Sequence, residues 1–337
     1  MPTFRALVTL ALMSFSPNLY VNGQLQTSGD LPPYALTYAP IIRLSSRERF
    51  WPSDPAEHLR HVTAKLANFS DDAAAPRPLT LSNLNYPGSN NNTWLTSNDD
   101  VSREPEWLLS NYGRPDNNGR SAAPSTIIAI DKTDLIGPGY VDIYYAFFYS
   151  YNRGNTFNNA IYGDHVSDWE SLLIRFLNGK PQAIHYSQHS DGTGYTYAAV
   201  PKEGLRPITY CAEGSHANYA TVGSHPRLGG AISDRTEAGP GWDITLNYAG
   251  YWYSAAQGFV ATTGNKLPTG WLEFLGNWGD QQYPDSDPRQ RSLAGLAYRY
   301  TNGVPGPIGH NLLRKTLCQS SDCPANTNLN VSTSGSS

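Results

Sequence analysis

The run Gly163-Asp164-His165-Val166-Ser167-Asp168-Trp169-Glu170 gathers an imidazole and two carboxylates between His165 and Glu170. From Asp168 onward the chain reads as a strand. Alternation puts Asp168, Glu170, Leu172, Ile174 and Phe176 on one face, and Trp169, Ser171, Leu173 and Arg175 on the other. Two acids at the mouth of a core face are costly unless something neutralises them. Asn178-Gly179 is the dipeptide of a two-residue hairpin turn. Leu177 is therefore expected opposite Lys180 and, counting back, Leu172 opposite His185, Glu170 opposite Ser187 and Asp168 opposite His189. Directly opposed Cβ atoms lie ~5 Å apart. His165 would enter the same cluster from the preceding loop.

The set His165, Asp168, Glu170 and His189 suits a divalent cation. Carboxylates favour calcium, magnesium or manganese, while imidazole shifts the preference toward manganese or zinc. The same groups could supply a general acid and base for glycan cleavage, or form a structural network in which imidazoles and carboxylates satisfy one another. A second stretch, Tyr210-Cys211-Ala212-Glu213-Gly214-Ser215-His216-Ala217, reads as a strand and a glycine turn. It offers Glu213 and His216 as further members of the cluster, or is simply a surface turn. Cys211 sits in an apolar run and reads as a buried thiol. Trp242, Tyr248, Tyr251, Trp252 and Tyr253 would stack on sugars if exposed, but read mostly as core. His58, His61, His225 and His310 have no evident local partner.

These residues need strands to position them. Strands are expected over 127–130, 141–150, 168–177, 183–188, 195–200, 208–212, 244–248 and 293–300. Asp54 or Ser53 caps a helix entered by Pro55, with Leu59, Val62 and Leu66 at helical spacing. Residues 71–126 are rich in Asn, Asp, Pro, Gly and Ser and read as long loops, with a short helix near 104–109. Short strands broken by Gly, Pro and Asn predict a mainly β protein: a twisted β-sandwich with peripheral short helices and long loops. One β-rich domain is expected over 24–317.

The ends of the chain speak to compartment. Arg5, the apolar stretch 6–15 and Val21-Asn22-Gly23 have the order of a secretory signal peptide, expected over residues 1–23. That apolar stretch is too short to span a bilayer, and no later one is long enough. Sequons at Asn68, Asn91 and Asn330 are glycosylation candidates in such a chain. Cys318 and Cys323 are close enough for a local disulfide, in a tail, 318–337, that ends in Ser, Thr and Asn. The formal charge of −4 over 337 residues carries no footprint for nucleic acid.

At these motifs the chain resembles the vacuolar protein sorting-associated protein 62 family of fungi and plants. The matching pieces are Tyr38-Ala39-Pro40, Arg49-Phe50-Trp51-Pro52-Ser53, the aromatic run 144–149, His165 to Glu170, Tyr186 to Ser190, Gly214 to Ala217 and Gly276-Asn277-Trp278-Gly279. The name implies a role in vacuolar protein sorting. More distantly, His165-x-x-Asp168-Trp169-Glu170 is similar to the signature of the necrosis- and ethylene-inducing peptide-like proteins. That similarity implies a cation-binding cavity on a β-sandwich in which His165, Asp168 and Glu170 take part, and engagement of sphingolipid sugar headgroups. The expected function is recognition of a glycan or glycolipid headgroup, with cation assistance, by a secreted protein. A glycan hydrolase or lyase using the same cluster, and a sorting factor of the vacuole lumen, are the alternatives.

Overall fold

Residues 140–152 set the architecture. Tyr145, Phe147 and Tyr149 point to one side of their strand while Tyr144, Ala146 and Phe148 point to the other, and all six are buried. A strand apolar on both faces must lie inside a sheet covered on both sides. The computed structural model describes residues 29–319 apart from 228–229 and 264–265, then 323–329, with the short backbone pair Tyr20–Val21 and Gln24–Leu25 before them. The expected signal peptide otherwise falls outside the described residues, as does Asn330.

Twelve strands form two sheets: β1 (Ile41–Arg43), β2 (Ser125–Asp131), β3 (Tyr140–Asn152), β4 (His165–Leu177), β5 (Lys180–Gln188), β6 (Asp191–Thr196), β7 (Lys202–Glu203), β8 (Arg206–Cys211), β9 (Asn218–Tyr219), β10 (Gly241–Asp243), β11 (Tyr248–Ser254) and β12 (Gly258–Ala261). The larger sheet runs β6-β5-β4-β3-β2-β11-β12, and the smaller runs β7-β8-β1-β10 with β9 beside β8. Between them lies one core, where Phe147, Leu172, Ile174 and Phe176 meet Ile42, Trp242 and Ile244. The far side of the larger sheet is covered by loops carrying Leu84, Trp271, Trp278 and Leu312. Trp278 stands 5.4 Å from Trp169 of β4, ring to ring. The protein is thus a mainly β sandwich with short peripheral helices.

The Asn178-Gly179 turn forms with φ of 49° and 74°, and Leu177 pairs with Lys180. The rest of the hairpin departs from the simple count. Phe176 faces Pro181 but Arg175 faces Ala183, so Gln182 is an extra residue in β5, and Leu172 pairs with Tyr186 rather than His185. Pro181 has no N–H to give the ladder, which is where a bulge costs least. His185 consequently turns to the face opposite that of Leu172.

Other expectations also changed. Asp54 does cap, accepting from Ala56 N at 2.8 Å, but the helix covers only Pro55–His58, followed by a 3-10 turn. Val62–Leu66 is a strand paired with Thr93–Ser97, with Val62 and Ala64 inward and Thr63 and Lys65 outward. A β-branched pair with period-two burial outweighed the apolar i, i+3/i+4 spacing. The strand expected over 195–200 ends at Thr196 in a 3-10 turn. Residues 244–247 form the turn between β10 and β11, and 293–300 holds only the small pair Ser292–Leu293 and Ala297–Tyr298.

Candidate functional site

Beyond Leu172↔Tyr186 the β4–β5 ladder stops, and the backbone N–H of Ser171 donates to Ser187 Oγ at 2.8 Å instead. The splayed strands make room for the Gly214–Asn218 turn from the smaller sheet. Three residues around this opening adopt left-handed backbone without being glycine: Ser167 (φ 62°), His189 (58°) and His216 (55°). Such conformations cost on the order of 1–3 kcal/mol each and persist where surrounding contacts over-determine them.

His216 is fully buried. Its Nδ1 donates to Asp168 Oδ2 at 2.9 Å and its Nε2 to the Phe50 carbonyl at 3.1 Å, with Glu48 Oε1 at 3.8 Å. Both ring nitrogens face acceptors, so both carry protons and the ring is an imidazolium. Burial alone would lower its pKa, but the hydrogen bonds and charges of Asp168 and Glu48 outweigh it and raise the pKa to about 9. Tyr149 stacks on the ring at 3.7 Å. Burial would raise the Glu48 carboxyl; His216 and the backbone N–H groups of Gly214 and Phe50 bring it below its usual value. Gly214 delivers its N–H to Glu48 Oε2 at 2.7 Å from a φ of 76°, with Arg153 packed where a Cβ would sit.

Glu170 contrasts with its neighbour on the same face. Its Oε2 accepts from Ser187 Oγ and from Asn218 Nδ2 at 3.3 Å, and no cation pairs with it among the described residues. Burial first, then the charge of Asp168, pushes its carboxyl well above the usual carboxylate range. Asp168 and Glu170 do share a face of β4, and Ser187 does reach Glu170.

His189 does not join Asp168. The bulge and the left-handed turn carry it to Asp234, whose Oδ2 it approaches at 2.7 Å. Asp234 also accepts from Tyr219 Oη at 2.7 Å and Ser215 Oγ at 3.0 Å. Burial opposes its ionisation, but His189, Tyr219 and Arg227 hold it well below the usual carboxylate range. His165 Nδ1 donates to the Ser167 carbonyl at 2.7 Å, which leaves Nε2 unprotonated, and burial lowers its pKa. Glu213 points outward to Arg47 at 2.7 Å and takes no part. Glu48, Tyr149 and Asp234 were missed by sequence reasoning. Glu48 sits inside the Arg47–Ser53 stretch without a partner pattern, and Asp234 has only a polar strand around it.

A hollow of about 370 Å3 opens beside this network. Phe157, Tyr162 and Tyr298 wall it, and His165, His189 and Ser215 reach it from the left-handed turns. Neither Asp168 nor Glu170 lines it. Among the described residues no group of three or more His, Cys, Asp and Glu side chains is arranged to hold a metal ion. As arranged, Asp168 Oδ2 is committed to His216, His165 Nδ1 to a carbonyl and His189 to Asp234, so the four expected ligands do not converge.

Elsewhere, Cys318 and Cys323 form a disulfide and Cys211 is a buried thiol 3.6 Å from Tyr149 Oη. Asn68 and Asn91 are exposed. Trp242, Tyr251 and Trp252 are core, while Tyr248 and Tyr253 are half-buried. No helix among the described residues is long and apolar enough to cross a membrane.

Fold and site together define a β-sandwich with a buried imidazolium–carboxylate network beneath an aromatic-walled hollow. The chain belongs to the vacuolar protein sorting-associated protein 62 family, whose pattern matches residues 35–294. It is 35% identical over 334 residues to a candidate vacuolar protein sorting-associated protein, TDA6, of Saccharomyces cerevisiae, covering 87% of this chain and 70% of that one. It is 32% identical to vacuolar protein sorting-associated protein 62 of the same yeast, covering 88% and 70%. Among solved structures it is similar to Necrosis and Ethylene inducing Protein 2 from the causal agent of cocoa's Witches Broom disease, at TM-score 0.28 and 14% identity over 58% of this chain and 72% of that one. NLPPya in complex with mannosamine matches at 0.28 and 11%, covering 69% and 79%.

Proposed function

We propose that this chain is a glycan-recognition protein of the secretory and vacuolar route, binding sugar in the hollow beside His165. The observation that supports this reading is the wall itself. Three aromatic rings, half-buried rather than packed away, stand over hydroxyl, amide and imidazole groups fixed by the network beneath. Aromatic faces stack on sugar rings, and a few oriented polar groups give specificity. Roughly 300–1,000 Å3 is the usual range for small-molecule sites, and this hollow sits at its lower end. The Asp168 and Glu170 carboxyls lie outside the hollow, so the geometry favours binding over hydrolysis.

The expected divalent cation belongs to this proposal at Asp168 and Glu170, with His165 beside them. A cation there would oppose the burial that raises the Glu170 carboxyl and would compete with His216 for Asp168. Thermal stability of the metal-free protein with and without calcium, magnesium, manganese or zinc, beside Asp168→Ala, tests that component.

Calorimetry of the purified chain against soluble oligosaccharides tests the reading as a whole. Saturable binding is expected, weakened roughly tenfold by Tyr298→Ala through loss of one stacking face. Absence of saturable binding to any sugar by the wild type would sink it.

A further inference from the structure

The hollow has a basic wall in a protein that carries a net charge of −4. Among the described residues no aspartate or glutamate lines it, and its basic groups are His165, His189 and Arg227. The acids stand behind the wall: Asp164 is paired with Arg299 at 2.9 Å, and Asp234 with His189 at 2.7 Å. Another hollow, about 530 Å3, is the reverse, with Asp54, Glu57, Asp99 and Glu106 in its wall and, among the described residues, no lysine or arginine.

Arg227 is the distinguishing group. Its guanidinium lies 4.0 Å from Asp234 Oδ2 through Nε, too long for a hydrogen bond, and its side chain is 30% exposed. Asp234 is saturated by closer donors from His189, Tyr219 and Ser215. Arg227 therefore keeps donors for a ligand, and a guanidinium fork matches a carboxylate, phosphate or sulfate.

We propose that the hollow takes an acidic sugar, one bearing a carboxylate, phosphate or sulfate, with its ring against Tyr298 or Phe157 and its anion on Arg227. This rests on the glycan reading and names its substrate class. It also separates the hollow from the carboxylate pair: the sugar's charge is met by arginine, not through a cation.

Calorimetry on the full chain with glucose, glucuronate, glucose 6-phosphate and inorganic phosphate at constant ionic strength tests it, using wild type, Arg227→Gln and Arg227→Lys. An acidic sugar is expected to bind roughly ten- to a hundredfold more tightly than glucose. Arg227→Gln should abolish that margin, and Arg227→Lys should restore part of it. Arg227 is partly exposed and makes no hydrogen bond to Asp234, so both variants are expected to keep the fold, which unchanged thermal stability would verify. Equal binding of glucose and the acidic sugars, indifferent to Arg227→Gln, would overturn this inference and leave the glycan reading standing. Inorganic phosphate binding as tightly as glucose 6-phosphate would overturn both, and binding of none of the four would overturn this inference.

Discussion

Replacing His216 by glutamine should remove a pH dependence that the wild type must show. The imidazolium has a folded pKa of about 9 against 6.5 for a free histidine. A folded value above the unfolded one means the native state holds the proton more tightly. The stabilisation is fully present below pH 6.5 and is lost as pH rises toward 9. Each pH unit in that window is worth about 1.36 kcal/mol, so the whole of it amounts to about 3 kcal/mol. Lys132 titrates nearby with the opposite sign, because burial lowers its pKa to about 8 and stability rises as the folded state sheds that proton. Glu170 acts in the same direction as His216. The difference between wild type and variant cancels Lys132, which lies outside the His216 network. Urea unfolding from pH 5.5 to 9.5 should give a wild-type-minus-variant stability that falls by about 3 kcal/mol across the window. The variant should be the less stable below pH 6.5, since Asp168 and Glu48 then lack their buried cation. A difference that stays flat with pH would show that His216 is not an imidazolium, and the account of the network would fail with it.

Three other places in the fold give measurable outcomes. Lys132→Met should cost about 1–3 kcal/mol in urea unfolding, because the buried carbonyls of Leu312 and Arg314 lose their donor while Asp142 keeps its pair with Arg175. Gly279→Ala should lower the melting temperature sharply and broaden the near-ultraviolet signal of Trp278, since the added Cβ would stand 1.9 Å from the Val166 carbonyl oxygen; an unchanged melting temperature would contradict that packing. Cys318→Ser should cost about 2 kcal/mol by freeing a short loop whose ends are five residues apart, read from denaturation midpoints with and without reductant.

The sequence by itself determined the strand that carries the chemistry. Period-two alternation from Asp168 to Phe176 put both acids on the core face, and the strand folds that way because side-chain direction in a strand is local. The Asn178-Gly179 turn and the Leu177–Lys180 pair were equally local. What lay beyond the first few pairs was not. One proline without an N–H shifted the register by a residue, sent His185 to the other face and left His189 for Asp234 rather than Asp168. The identity of the cation beside Asp168 depended on longer distances still. His216 and Glu48 are 48 and 120 residues away along the chain, brought in by a turn of the smaller sheet and a loop before β2. No spacing rule links residues so far apart. Whether a buried carboxylate meets an imidazolium, as at Asp168, or only neutral donors that leave burial to raise its pKa, as at Glu170, depends on which donors tertiary packing places within hydrogen-bond reach.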